Sequence, residues 1–185
     1  MRVVIADDSR LLREGIASIV RGEGIEVVAL ASGPDELLAA VDQHEPDVAI
    51  VDIRMPPTQT DEGIVAAHEI RSRHPRMGIV LLSQHVEVGA ATQLLAEAPQ
   101  HLGYLLKDRV TDPADFAGSL RRVAGGGTAL DPQVVSGLLA DPREDGPLRS
   151  LSPREREVLE FVVEGARTRR SASASPSRTA PCRNT

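Results

Sequence analysis

Residues 47–57 have the sequence DVAIVDIRMPP, and this short segment constrains the fold of the chain more than any other. A continuous run of β-branched and apolar residues is typical of a strand that is covered on both faces, as in a parallel sheet between helices. Two prolines end the run. Asp52 falls at its carboxyl end, where open α/β sheets bind their ligands. The segment therefore predicts a parallel sheet with a functional acid at its edge.

Four other segments resemble this strand and alternate with helical patterns. The further strand candidates are Arg2–Ala6, Ile25–Ala31, Met77–Leu82 and Leu102–Leu106. The intervening helix candidates are Ser9–Arg21, Ser32–Val41, Gly63–Arg73, Val86–Ala98 and Asp112–Ala124. Strands that alternate with helices in this way predict an α/β fold with a doubly wound, five-stranded parallel sheet.

The composition excludes several classes of function. The formal net charge of −6 argues against a generally basic nucleic-acid surface. One cysteine, Cys182, excludes a disulfide framework and fits a reducing cytosol. The apolar run Arg2–Ala6 is too short for a signal peptide, and no segment has the length of a membrane span. We therefore expect a cytoplasmic protein without a membrane partner.

The character of the chain changes after the last of these helices. Gly125–Gly127 marks a boundary, and Pro132–Ala140 is a short helix candidate followed by a polar linker. The predicted parts are a domain over 1–126, a linker with one short helix over 127–150, the start of a helical domain over 151–165, and a tail over 166–185. The tail is rich in Arg, Ser, Ala, Thr and Pro, a composition that cannot bury a core.

Polar residues stand at the ends of four predicted strands. They are Asp7 and Asp8, Asp52, Ser83 and Lys107. In a doubly wound sheet these ends converge on one edge. Three crowded carboxylates repel one another and favour a hard divalent cation, and Mg²⁺ takes oxygen ligands of this kind. A carboxylate beside Mg²⁺ and a lysine can act as a nucleophile in phosphoryl transfer, and a serine hydroxyl can donate a hydrogen bond to the transferred group.

This pattern resembles the receiver domain of two-component response regulators over about Met1 to Gly126. The resemblance rests on Asp7-Asp8, on Asp52 followed by Met55-Pro56, on Gly63, on Ser83, and on Gly103-Tyr104-Leu105-Leu106-Lys107. It implies a flavodoxin-like sheet with the strand order 2-1-3-4-5.

The resemblance also implies a cofactor and a phosphoryl donor. Asp52 would be the phosphoacceptor, phosphorylated by a sensor histidine kinase or a small phosphodonor. Asp7 and Asp8 would bind Mg²⁺ together with Asp52. The backbone carbonyl of Arg54 would add a further metal ligand.

Three other residues would respond to phosphorylation. Ser83 and Tyr104 would form the switch pair, the hydroxyl moving onto the phosphoryl group while the ring turns inward, and Lys107 would bind the same group. The change would bias the surface near the predicted helix Val86–Ala98 and strand Leu102–Leu106. We expect that surface to mediate a homodimer of the phosphorylated protein.

Other interpretations stay open. A Mg²⁺-dependent phosphohydrolase also uses an aspartate at a strand end, but such enzymes generally have a second aspartate two residues later, where this chain has Arg54. A receiver that acts alone through protein contacts is a further possibility. Taken singly, Asp7 and Asp8 could be helix N-caps, and Tyr104 could be a core residue.

The segment Leu151–Gly165 resembles the opening helix of a LuxR/NarL-type helix-turn-helix domain. Such a domain controls transcription through a recognition helix in the DNA major groove, and the tail has none, so no DNA-binding residue is intact. Shifting the codons from Ala166 onward by one frame allows Ser-Asn-Ala-Ala-Ile-Gly-Glu-Arg-Leu and, at the end, Ser-Val-Thr-Asp-Arg-Thr-Val-Ser-Lys-His. Both resemble the missing motif. We infer a frameshift, in the gene or in its sequencing, that replaced the recognition helix.

Overall fold

The computed structural model of the chain describes residues 1–85 and 99–140. Within these residues one sheet comprises six parallel strands, β1 (Arg2–Ala6), β2 (Glu26–Ala31), β3 (Val48–Asp52), β4 (Gly78–Ser83), β5 (Leu102–Leu106) and β6 (Thr128–Leu130). The helices in the same ranges are α1 (Arg10–Gly22), α2 (Pro34–His44), α3 (Glu62–Arg73), α4 (Pro113–Ala124) and α5 (Pro132–Ala140), with a 3₁₀ helix at Lys107–Thr111.

The strand order is β2-β1-β3-β4-β5-β6. It confirms the doubly wound parallel fold and the predicted order of the first five strands. The sequence analysis predicts five strands, whereas the sheet has a sixth, β6, which pairs in parallel with β5 from Leu102 opposite Thr128 to Tyr104 opposite Leu130. Three residues are too few to show a hydrophobic period, so the pairing with β5, and not the local sequence, makes this segment a strand.

The central strand β3 lies between β1 and β4 and is buried along its whole length. Its successive side chains point to opposite faces of the sheet, as in any strand. Val48 and Ile50 pack into a core that contains residues of α1 and α4. Ala49 and Val51 pack into a second core, with residues of α2 and α3. Helices on both faces explain why the strand is apolar without alternation.

The described residues up to 140 form one compact unit. It includes β6 and α5, whose residues the sequence analysis assigns to a linker. The helix predicted over Pro132–Ala140 is confirmed, and its Val134 is fully buried in the same core as Tyr104. None of the helices in the described ranges has the length and apolarity needed to cross a membrane. The predicted helix Val86–Ala98 and the predictions for 141–185, including the LuxR-type helix and the out-of-frame tail, lie outside the described residues.

Candidate functional site

The polar residues predicted at the strand ends come together at one edge of the sheet. Asp7, Asp52 and Ser83 are buried, with 1%, 5% and 3% of their surface exposed. Asp8 is exposed at the same edge. A cleft of about 340 Å³ opens above them, and its lining residues are Asp8, Ser9, Leu12, Asp52, Arg54, Gln59, Ser83, Gln84, His85 and Lys107. Asp52 is therefore buried on the protein side, while the cleft gives a small ligand access to Asp8 and Asp52.

One lysine connects the two buried acids. The Lys107 Nζ atom lies 2.9 Å from Oδ2 of Asp7 and 2.8 Å from Oδ2 of Asp52. The lysine reaches them because β5 ends at Leu106 beside the end of β4, which in turn pairs with β3. Only 13% of the lysine side chain is exposed, so its ammonium group is largely withdrawn from water. One positive charge thus faces two negative charges.

The pKa values of these groups reflect that imbalance. Burial raises the pKa of Asp52 above its ordinary value, and the charge of Asp7 adds to the rise, whereas the hydrogen bond and charge of Lys107 oppose it. Burial by itself would lower the pKa of Lys107, but the hydrogen bonds to Asp52 and Asp7, and their charges, raise it. Lys107 is therefore charged at neutral pH, and the ionised form of Asp52 is disfavoured by its surroundings.

Three carboxylates at this edge are close enough to share one cation. Asp7, Asp8 and Asp52 can each offer an oxygen atom such that these atoms lie within 4.8 Å of one another. An all-oxygen, negatively charged set of donors suits a small hard divalent cation such as Mg²⁺. The backbone N–H of Ser9 donates to Oδ1 of Asp7 at 2.9 Å, which helps to orient that carboxylate. The donor set therefore fits the cation that the sequence predicts.

A glycine on α3 permits the close approach of this helix to the end of β3. The Gly63 N–H donates to the Ile53 carbonyl at 2.9 Å. A Cβ atom at Gly63 would overlap with the backbone oxygen of Asp52. The position therefore requires glycine for space, and the helix start fixes the backbone next to Asp52. The Arg54 N–H lies 3.4 Å from Oδ1 of Asp52, a long contact that holds the carboxylate weakly.

The two residues predicted as a switch pair meet at a single carbonyl. The Ser83 hydroxyl donates to the His85 backbone oxygen at 2.7 Å, and the Tyr104 hydroxyl lies 3.5 Å from the same oxygen. Tyr104 is 1% exposed, so its ring is inside the core. The His85 N–H in turn donates to the Ser83 Oγ atom at 3.2 Å. Ser83 and Tyr104 are thus connected through the backbone that follows β4, which the sequence analysis does not predict.

Sequence reasoning missed three further polar contacts. The Gln59 side chain donates from Nε2 to Oδ2 of Asp8 at 2.7 Å, and no sequence signal marks this residue. Away from the cleft, the Arg109 Nε atom donates to Oδ2 of Asp131 at 2.7 Å. Asp131 also accepts from the Gln133 N–H at 2.8 Å at the start of α5. An aspartate directly before a proline at a helix start is a known N-cap signal that could have identified it.

The chain has a doubly wound parallel sheet, and a lysine bridges two acids at the carboxyl edge of that sheet. This combination is typical of signal-receiver domains. The family profile described as response regulator receiver domain matches residues 3–112. The chain therefore belongs to the response regulator receiver family.

Several relatives extend the similarity beyond the matched domain. The oxygen regulatory protein NreC of Staphylococcus haemolyticus (strain JCSC1435) is 30% identical over 175 residues, which cover 89% of this chain and 78% of that protein. The transcriptional regulatory protein DegU of Brevibacillus brevis is 31% identical over 185 residues, which cover 89% and 75%. A solved structure of the RcsB response regulator of Salmonella typhimurium has a TM-score of 0.67 at 25% identity and covers 89% and 78%. The chain is accordingly a two-component response regulator of the type that has a LuxR-type output and controls transcription.

Proposed function

We propose that Asp52 accepts a phosphoryl group from a sensor histidine kinase, or from a small phosphodonor, in a reaction that needs Mg²⁺. The observation that carries the proposal is the position of Lys107, whose ammonium group contacts both Asp52 and Asp7 beneath an open cleft. A carboxyl group whose charged form is disfavoured by burial and that is open to a ligand is suited to nucleophilic attack once it is ionised.

Each residue of the cluster has a defined part in this reaction. A carboxylate oxygen of Asp52 forms a bond to phosphorus while the bond from phosphorus to the donor breaks, and the leaving group keeps that electron pair. Asp7, Asp8 and Asp52, with the backbone carbonyl of Arg54, would hold Mg²⁺, which neutralises charge on the transferring oxygens. Lys107 supplies a second positive charge to the same oxygens.

The phosphoryl group then changes the contacts of the switch pair. It adds a charge of about −1.5 to −2 and three acceptor oxygens. The Ser83 hydroxyl leaves the His85 oxygen and donates to a phosphoryl oxygen, and the Tyr104 hydroxyl, which lies near the same carbonyl, responds to its release. We propose that this shift favours a homodimer through the surface beside β5.

The consequence of phosphorylation is signalling and not turnover. The position two residues after Asp52 carries Arg54, so the cleft has no acid there to serve as the acid/base of a phosphohydrolase. We propose a cytoplasmic protein with at most slow autodephosphorylation. If the output domain contributes nothing, the receiver would act through protein contacts alone.

Labelling by a phosphodonor tests the proposed function. The chain is incubated with an acyl phosphate, with and without Mg²⁺, and acid-labile protein-bound phosphate is measured. We expect labelling of the wild type that depends on Mg²⁺ and is abolished in Asp52→Asn. Asp47→Asn, which changes an exposed acid at the opposite end of β3, is the matched control and should label normally. Retained labelling of Asp52→Asn would place the nucleophile elsewhere.

The DNA-binding output requires a separate proposal. We propose that the family's recognition helix was replaced by a frameshift near the Ala166 codon, so that this chain retains little sequence-specific binding to DNA. The arginines of the tail offer charge, which gives weak and salt-sensitive attraction. Sequencing the gene around that codon is the direct test. Restoring the original reading frame should regenerate the helix-turn-helix motif. The proposal would be contradicted if the shifted frame encoded no such motif and the chain protected a defined operator in a footprinting experiment.

A further inference from the structure

The loop between β3 and α3 is ordered by one carboxylate. Glu62 accepts from the Thr58 N–H and the Thr60 N–H, each at 2.9 Å, and from the Thr58 hydroxyl. The hydrogen bond from the Thr58 side chain is the largest of the effects that lower the pKa of Glu62 to about 2. Glu62 therefore stays ionised at any physiological pH and keeps residues 58–62 in a fixed turn.

Gln59 has an unusual backbone conformation within this turn. Its φ angle is +61°, in the left-handed region that residues other than glycine, asparagine and aspartate rarely adopt. Its N–H donates to the Met55 carbonyl at 3.0 Å, so the conformation is part of the hydrogen-bonded turn. A glycine or an asparagine would satisfy the backbone more easily. The glutamine is therefore best explained by what its side chain contacts.

The Gln59 side chain reaches the one exposed member of the acid cluster. Its Nε2 atom donates to Oδ2 of Asp8 at 2.7 Å, across 51 positions of sequence. Asp7 and Asp52 are buried and both contact Lys107, but burial does not restrict the exposed Asp8 carboxylate. An exposed side chain loses rotamer freedom when it binds a ligand. A donor on one Asp8 oxygen reduces that loss because it restricts the side chain beforehand.

We propose that Gln59 is a positioning residue for the cation site, holding the Asp8 carboxylate beside those of Asp7 and Asp52. The inference rests on the proposed Mg²⁺-dependent function. An amide suits the task because it is neutral, so it orients the carboxylate without cancelling the negative charge that attracts the cation. Carboxylates that bind metals are commonly oriented by such neighbouring hydrogen bonds.

The direction in which Mg²⁺ affinity changes distinguishes this positioning role from competition between the amide and the cation. If Gln59 orients Asp8 for the cation, then removing the amide weakens Mg²⁺ binding. If the amide instead competes with the cation for the Asp8 oxygen, then removing it strengthens Mg²⁺ binding. Losing a neighbouring hydrogen-bond partner of a metal ligand typically weakens metal affinity about 10-fold to 100-fold.

Calorimetric titration of the full chain with Mg²⁺ tests the proposal. Gln59→Gly removes the amide and accepts the left-handed backbone. Gln59→Asn also accepts that backbone and keeps an amide, but its side chain is one methylene too short to reach Asp8. We expect both variants to bind Mg²⁺ about 10-fold more weakly than the wild type. Gln43→Ala, which removes an exposed amide on α2 away from the cleft, should leave the affinity unchanged.

Phosphorylation kinetics provide a second readout. In both Gln59 variants the rate at limiting Mg²⁺ should fall, whereas the rate at saturating Mg²⁺ should match the wild type. The unfolding temperature without cations should not fall in either variant, because glycine and asparagine tolerate the left-handed backbone, and this excludes loss of the fold. Wild-type or tighter Mg²⁺ affinity in either variant would overturn the role of Gln59. Absence of Mg²⁺ binding by the wild type would instead overturn the proposed function itself.

Discussion

Two buried acids, Asp52 at the cleft and Asp131 at the start of α5, have pKa values that shift in opposite directions. Their basic partners, Lys107 and Arg109, are only two positions apart in the sequence. Asp131 accepts a hydrogen bond from the Arg109 side chain and another from a backbone N–H. Burial by itself would raise the pKa of Asp131, but the hydrogen bond from Arg109 and the other donors lower it. Asp52 shares Lys107 with Asp7, and its pKa is raised.

The difference shows how the same elements make a structural ion pair in one place and a reactive group in another. At Asp131 the hydrogen-bond donors and the charge of Arg109 together outweigh the cost of burial, so the ionised acid stabilises the fold. At Asp52 burial disfavours the charged form and the charge of Asp7 adds to the penalty, while the one lysine that the two acids share offsets only part of it. The ionised acid is therefore destabilising until a cation or a phosphoryl group changes the balance. The cleft above Asp52 gives such a ligand access.

The largest expected effect on stability comes from a substitution that displaces the backbone beside the cleft and leaves the Asp131–Arg109 pair unchanged. Gly63→Ala places a Cβ atom against the backbone oxygen of Asp52, which cannot move aside as a flexible side chain could. We expect a loss of about 3 kcal/mol or more in the free energy of unfolding, measured by urea denaturation. Gly118→Ala on α4 is the control, because a Cβ there meets nothing within 4 Å. It should gain up to about 1 kcal/mol, and equal losses in both variants would contradict the packing argument.

Removing the shared lysine should have the next largest effect. Lys107→Ala leaves Asp7 and Asp52 buried together without a counter-charge, and we expect a loss of about 2 kcal/mol, less than for a fully enclosed pair because the cleft is open to water. Since the folded pKa of Lys107 is raised above 10.5, this contribution is complete below that pH and disappears as the pH rises through the folded value. Unfolding curves across the alkaline range measure it. A difference between wild type and variant that persists after lysine is deprotonated would count against an ionic origin.

The Asp131 pair should respond to acid. Asp131→Ala removes the N-cap of α5 and the partner of Arg109, and we expect a loss of about 1.5 kcal/mol at neutral pH. Because the folded pKa of Asp131 lies below 3.8, the contribution is present above that pH and is lost as the pH falls through the folded value. Thermal unfolding as a function of pH provides the measurement. A constant difference down to strong acid would show that the carboxylate charge is not involved.

The smallest effect has the opposite sign. Asp52→Asn replaces the disfavoured charge with a neutral group of similar shape, and in cation-free buffer we expect a gain of about 1 kcal/mol at neutral pH. Because the folded pKa of Asp52 is raised above 3.8, the penalty is absent below that pH and develops as the pH rises through the folded value. The gain should therefore vanish in acid. A variant less stable than the wild type at neutral pH would mean that the Lys107 contact outweighs burial.

Much of the fold could be predicted from the sequence because it depends on patterns that local physics dictates. The β-branched runs predict strands buried on both faces, and their alternation with helices predicts a parallel sheet, whereas the strand order is implied by the resemblance to receiver domains. β6 could not be predicted, because Thr128–Leu130 is a strand only through its pairing with β5. The packing of α5 beside Tyr104 is equally a tertiary property, since it depends on where Val134 meets the core.

The site was predictable to the extent that it lies at strand ends. Parallel strands bring Asp7, Asp52 and Lys107 to one edge whatever the loops do, and the three side chains are in contact there. Contacts made by loops were not predictable. The bond from Gln59 to Asp8 depends on a left-handed residue in a turn, and the carbonyl of His85 becomes a partner only through the path of the backbone after β4.

Locating the phosphoryl group on the chain tests most directly whether Asp52 is the reactive acid. The full chain is treated with an acyl phosphate and Mg²⁺, the acyl phosphate on the protein is reduced with borohydride to a stable homoserine, and the peptides are analysed by mass spectrometry. The account predicts homoserine at position 52, its loss when Mg²⁺ is chelated, and an unmodified Asp131. It also predicts the same modification in Asp131→Ala, because that pair is structural. Modification at another acid, or equal modification of Asp52 without Mg²⁺, would contradict the account.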